Sequence, residues 1–100
     1  MPHPEQPPRP EARFPLGQIV ATPGVLESLQ VAGQLPIEFL SRHVCGDWGD
    51  LSSDDLAENT RSLKEGLRLL SAYHLHTGVK LWIITEADRS VTTLLLPEEY

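Results

Sequence analysis

An α+β domain, in which a short N-terminal strand and three helices pack on a C-terminal three-stranded antiparallel meander, is predicted by three features of the sequence. Helical apolar spacing occupies residues 22 to 65. Strand-like runs rich in Leu, Ile, Val, Thr and aromatics occupy residues 67 to 96. Glycines or prolines stand at most of the boundaries between them. Helices and strands segregated along the chain in this way build a layer of helix on a sheet face.

The first 15 residues hold six of the nine prolines and a single large apolar side chain, Phe14. Such a segment buries too little to offset its ordering entropy, so residues 1–13 are expected to form a disordered tail and residues 14–100 a single domain. Gln18 to Ala21 reads as a short strand. Thr22-Pro23-Gly24 reads as a helix start, with Thr22 as cap and Pro23 at the first helical position. Val25, Leu26, Leu29 and Ala32 supply an apolar stripe that Gly33 ends. A second helix fits Pro36 to Val44, with Ile37, Leu40 and Val44 on one face, and Gly46 stops it. After the loop Cys45-Gly-Asp-Trp-Gly-Asp-Leu51, Ser52 with Asp55 approximates a capping box, helped by Asp54 in the positive first turn. This third helix carries Leu56 and Leu63 inward, the Arg61–Glu65 pair outward, and exits at Gly66.

Strands are expected over 67–75, 79–86 and 91–96. Thr77-Gly78 suits a tight hairpin turn; a two-residue turn sets Tyr73 opposite Trp82 and Ser71 opposite Ile84, an aromatic pair that would pin the register.

Composition narrows function. Fourteen acidic against eight basic residues give a net charge of −6, which opposes binding to phosphate backbones. No apolar run is long enough to span a bilayer and no secretory signal is present, so a cytoplasmic protein without membrane or direct nucleic-acid partners is expected. The lone Cys45 excludes an internal disulfide and a thiolate zinc site. No nucleophile motif, phosphate-binding glycine loop or zinc-protease motif is present, and no cofactor is expected.

The polar residues sort to two poles, one at each end of the third helix. One collects Arg68 with Glu86, Asp88 and Arg89. It reads either as an ion-pair network closing the turn, with Arg68 facing a carboxylate, or as a recognition or catalytic site with an acid as base and an arginine as anion clamp. The other gathers Asp47, Trp48 and Asp50 with His74, His76 and His43. These are suitable metal ligands by type, but their spacing is not that of a metal site, and none is assigned as a ligand. Trp48 either plugs the core or anchors a partner. The candidate binding residues are thus Asp47, Trp48, Asp50, Asp88 and Arg89.

Four segments also carry a family likeness: Gly46 to Leu51, the acidic helix with Asn59, Gly66 to Tyr73, and Lys80 to Tyr100. Over residues 14–100 the chain resembles the small bacterial "plasmid-related" proteins of plasmids and integrative elements, some of them labelled restriction-modification subunits. The family pattern includes His43, Asp47, Trp48, Arg68, Tyr73, Trp82, Glu86, Asp88, Arg89, Pro97 and Tyr100. The resemblance brings no known activity. It implies a mobile-element setting, in which a small acidic protein binds a host or defence protein. The element order also resembles that of the RelE/ParE toxins, so the alternative is a ribonuclease toxin or a hydrolase using the Arg68, Glu86, Asp88 and Arg89 cluster, although a ribonuclease would need a more basic face.

Overall fold

A computed structural model describes residues 12–100. The order is β1 (Gln18–Ala21), α1 (Pro23–Ala32), α2 (Pro36–Val44), α3 (Ser53–Glu65), β2 (Leu69–His74), β3 (Lys80–Thr85), β4 (Val91–Leu95) and a 3-10 turn over Pro97–Glu99. The fold is α+β. β2, β3 and β4 form the antiparallel meander, and β1 joins the far side of β4 in parallel, giving one mixed sheet in the order β1-β4-β3-β2. The expected proline-rich tail falls almost wholly outside the described residues. Arg13, the last residue of that expected tail, is tied to the domain, its amide donating to the Val44 carbonyl at 2.8 Å.

The helix ends follow local chemistry. The Thr22 hydroxyl accepts from the Val25 amide and the Ser52 hydroxyl from the Asp55 amide, both at 3.2 Å, satisfying amides that lack intrahelical partners. α2 starts without a side-chain cap at Leu35; Glu38 reaches back to the Leu35 amide instead. Gly33 and Gly66 close α1 and α3 in the left-handed conformation.

The hairpin between β2 and β3 departs from the two-residue turn expected. The Leu75 amide bonds the Val79 carbonyl and the Gly78 amide bonds the Leu75 carbonyl, so His76-Thr77-Gly78 form a three-residue loop with Gly78 at φ 91. The extra residue moves the register by one. Tyr73 lies opposite Leu81, Ala72 opposite Trp82 and Ser71 opposite Ile83. A one-residue slip changes which sheet face a side chain meets, so Tyr73 and Trp82 are on opposite faces and the expected aromatic pair does not exist.

The inner face presents Leu69, Ser71, Tyr73, Leu81, Ile83, Thr85, Thr92 and Leu94, all essentially inaccessible to water. α1 and α2 cover it with Val25, Leu29, Phe39 and Leu40. The inward stripe of α2 is Phe39, Leu40 and His43, while Ile37 is 60% exposed. α3 lies along the edge of β2 instead of over the sheet. There Asn59 donates to the Leu70 carbonyl and accepts from its amide, while the 48–50 loop takes the next pair, Ala72 N–H to the Trp48 carbonyl and Asp50 N–H to the Ala72 carbonyl. Every outward backbone group of Leu70 and Ala72 is thus occupied, which closes this edge to pairing with another strand.

Candidate functional site

The cluster around the second hairpin answers whether Glu86 to Ser90 is more than a turn. Thr85 pairs with Thr92 and the Glu86 amide bonds the Val91 carbonyl, leaving a four-residue loop in which Arg89 takes φ 62. That conformation is costly for a residue with a Cβ. It aims the guanidinium back over the turn, where Nη1 donates to the carbonyls of Leu67 (2.6 Å), Glu86 (3.1 Å) and Ala87 (3.2 Å) and Nη2 to that of Ser62 (3.3 Å). The Ser62 carbonyl, in the last turn of α3, already accepts from the Gly66 and Leu67 amides, so the guanidinium adds a further donor there and complements the negative helix end. Arg89 therefore staples the β3–β4 turn to α3, and its guanidinium also stands 5.7 Å from the Phe14 ring centre.

The four polar residues expected to work together do not. The Asp88 carboxylate accepts from the Ser90 amide and hydroxyl, and those bonds, the hydroxyl's first, hold it below the usual carboxylate range. Glu86 is solvent-exposed and contributes backbone bonds. Arg68, expected to face a carboxylate, points to the other side of the sheet, where its Nη2 donates to the Tyr100 hydroxyl at 2.5 Å and its guanidinium carbon lies 5.4 Å from that ring's centre. We expect Arg89→Ala to cost about 2–3 kcal/mol, the scale of hydrogen bonds to one partly exposed charged group. Arg89→Gly, which relieves the left-handed strain, should cost about 1 kcal/mol less. Asp88→Asn should leave the melting temperature nearly unchanged. Chemical denaturation of the three variants checks the order.

The second predicted pole also separates. Asp47 pairs with Arg42 at 2.7 Å, which lowers its pKa, and Arg42 lies over the Tyr73 ring. Asp50 meets His74 at 2.7 Å. The His76 amide is bound by Gln34. Trp48 is 7% exposed, stacked on Phe14 and packed with Leu69, so it plugs the core and is withdrawn as a partner anchor. Among the described residues no three His, Cys, Asp or Glu side chains converge as metal ligands would.

His43 has left that pole for the core. It is fully buried between Phe14 and Trp48, with Nδ1 2.5 Å from the Ser71 hydroxyl and Nε2 2.9 Å from that of Thr85. Thr85 meets Thr92 at 2.8 Å, and Thr92 donates to the Leu16 carbonyl at 2.7 Å. That carbonyl can only accept, so it orients the whole chain: Thr92 gives its proton to Leu16, Thr85 to Thr92, His43 Nε2–H to Thr85, and Ser71 to Nδ1. The imidazole is neutral. Burial chiefly, and the charge of Arg89 secondarily, depress its pKa to about 4. Ser71 and His43 have the contact of a nucleophile and its base, but both are sealed from solvent and from any substrate.

Among the described residues, an accessible constellation of aromatic, aliphatic and cationic groups lies on the outer face. Arg68, Leu70, Trp82, Ile84 and Tyr100 line a cleft of about 220 Å³. Trp82 is half-buried, with its ring edge-on to Tyr100 at 5.8 Å. The 3-10 turn that carries Tyr100 is tied down by Glu99, which accepts from the Thr22 hydroxyl (2.6 Å) and the Leu96 amide (2.9 Å), bonds that hold its pKa low. The cleft mixes an exposed cation with aromatic and aliphatic walls. Its components were individually visible in the sequence. Their convergence was hidden because the one-residue register shift turns Trp82 from the core to this face.

Comparison with protein-family models, curated proteins and solved structures returns no match to this chain.

Proposed function

We propose that the protein is a non-catalytic interaction module that docks a partner protein on the outer face of its sheet. The observation that carries this reading is the cleft at Trp82. It is the place where a half-buried tryptophan, a tyrosine ring and an arginine held in position by that tyrosine stand together and accessible, the residue types that dominate binding hot spots. Its volume of about 220 Å³ lies below the roughly 300–1,000 Å³ typical of small-molecule pockets and suits one inserted side chain. The partner segment that fits offers an aromatic or aliphatic anchor to Trp82, Leu70 and Ile84 and a carboxylate to Arg68. The likeness to plasmid-related proteins makes a host or defence protein the class of partner, and the acidic net charge favours protein over nucleic acid.

The enzymatic alternative has less support, because Arg68, Asp88 and Arg89 are each engaged locally, Glu86 is solvent-exposed, and the four do not face a common point. Affinity capture should compare the native protein with Trp82→Ala and Asp47→Ala. A polypeptide retained stoichiometrically by the native protein and by Asp47→Ala, and lost with Trp82→Ala, is the expected result. Retention by Trp82→Ala would overturn the assignment of the surface.

A further inference from the structure

The two edges of the sheet are treated differently. The β2 edge is closed by Asn59 and by the 48–50 loop, whereas β1 is bonded on one side alone. Gln18 and Thr22 donate toward β4, to Ser90 and Leu94, so the backbone groups of Ile19 and Ala21 point away from the sheet, and no described residue bonds them. Ile19 is 49% and Val20 38% exposed. Proteins blunt such an edge with a lysine, an internal proline, a bulge or a covering segment. At four residues β1 is short, which is itself one way to limit such an edge, but within Gln18–Ala21 none of the other devices is present, and among the described residues nothing lies over it.

We propose that β1 is a self-association edge that pairs antiparallel with β1 of a second copy about a two-fold axis at Val20, extending the sheet from four strands to eight. Charge and geometry select a second copy over another partner. Residues 14–26 form the longest stretch of this chain without Asp, Glu, Lys or Arg, thirteen residues in a protein of net charge −6. The carboxylate nearest this edge, that of Glu99 on Thr22, would face the neutral Gln18 of the second copy, so two equally acidic chains can pair here without like charges directly opposite. An antiparallel edge is also self-complementary: Ile19 of each strand faces Ala21 of the other, both residues present outward groups, and four backbone hydrogen bonds result. Gly17, at φ 65, and Pro23, without an amide hydrogen, bound this register on either side. A two-fold perpendicular to the sheet leaves both outer faces on the same side, so two Trp82 clefts would be presented together. The dimer does not depend on the cleft reading, and its test is separate.

Sedimentation velocity on the full chain, from low micromolar to near-millimolar concentration, should show a monomer–dimer equilibrium. Val20→Lys places two ammonium groups directly opposite at the axis and should abolish the dimer, as should Val20→Glu, with melting curves confirming that both remain folded. Mixing the two variants should restore a dimer that neither forms alone. A native protein that stays monomeric throughout would overturn the proposal, as would a dimer that survives in Val20→Lys, or folded variants that fail to associate on mixing.

Discussion

His43→Ala is expected to destabilise the protein by about 3–5 kcal/mol, through an imidazole-sized void and the loss of an acceptor for the buried Ser71 hydroxyl. Thr85 keeps Thr92 as a partner, so most of the polar cost falls on Ser71. The double variant His43→Leu/Ser71→Ala removes both members of that bond and refills the volume. It should recover most of the loss, because replacing both partners by apolar groups is far cheaper than orphaning one. The same histidine gives the native protein an acid sensitivity of definite sign. Its pKa falls from 6.5 in the unfolded chain to about 4 in the folded one, so the unfolded state binds the extra proton first. This stability is complete above pH 6.5, declines as the pH drops toward 4, and amounts to about 3 kcal/mol across that window. Urea unfolding at neutral pH and near pH 4 should show a markedly larger decline in the native protein than in the double variant. Equal pH dependence in the two would place the titrating group elsewhere.

Gly49→Ala is expected to cost a similar amount, about 3–5 kcal/mol, from a single methyl group. Gly49 sits at φ 76 beside β2, and a Cβ there would overlap the Ala72 carbonyl oxygen and come within 2.6 Å of the Tyr73 ring. Neither obstacle can yield, since one is backbone and the other a ring in the core. The loop must lift, losing the bonds between Ala72 and residues 48 and 50 and unseating Trp48 from His43. Gly46→Ala is the internal control. Its φ of 85 carries the same backbone penalty, of about 1–2 kcal/mol, but its Cβ meets only the flexible end of Arg13. A Gly49→Ala protein no less stable than Gly46→Ala would contradict the role given to this loop.

Features of this chain set by local chemistry are legible in its sequence, and those set by long-range contacts are not. The limits of α1 and α3 were legible because caps and glycine exits act within a few residues, and Thr22, Ser52, Gly33 and Gly66 perform those roles. The inward faces were less legible. Leu26 and Ile37 are outside, while Asn59, Ser62, Ser71, Thr85 and Thr92 are buried. Their burial is permitted by long-range hydrogen bonds that no periodicity reports, although hydroxyls recurring on the core phase of three strands were a signal for a buried imidazole. The outer-face cleft went unseen for a related reason. A hairpin loop of three residues instead of two is a small change in turn geometry, and it exchanged the sheet faces of β3 relative to β2, moving Trp82 out of the core and bringing it beside Arg68 and Tyr100.

The most direct test of the outer-face account is a binding isotherm between this protein and its purified partner, measured for the native chain, Trp82→Ala, Arg68→Ala and Asp88→Asn, with a melting curve for each. The account predicts that Trp82→Ala and Arg68→Ala weaken binding by roughly tenfold or more, the scale of hot-spot truncation, while both proteins stay folded at the assay temperature and Asp88→Asn binds as the native protein does. Native affinity in Trp82→Ala, or a loss confined to Asp88→Asn, would contradict it and return the site to the β3–β4 turn.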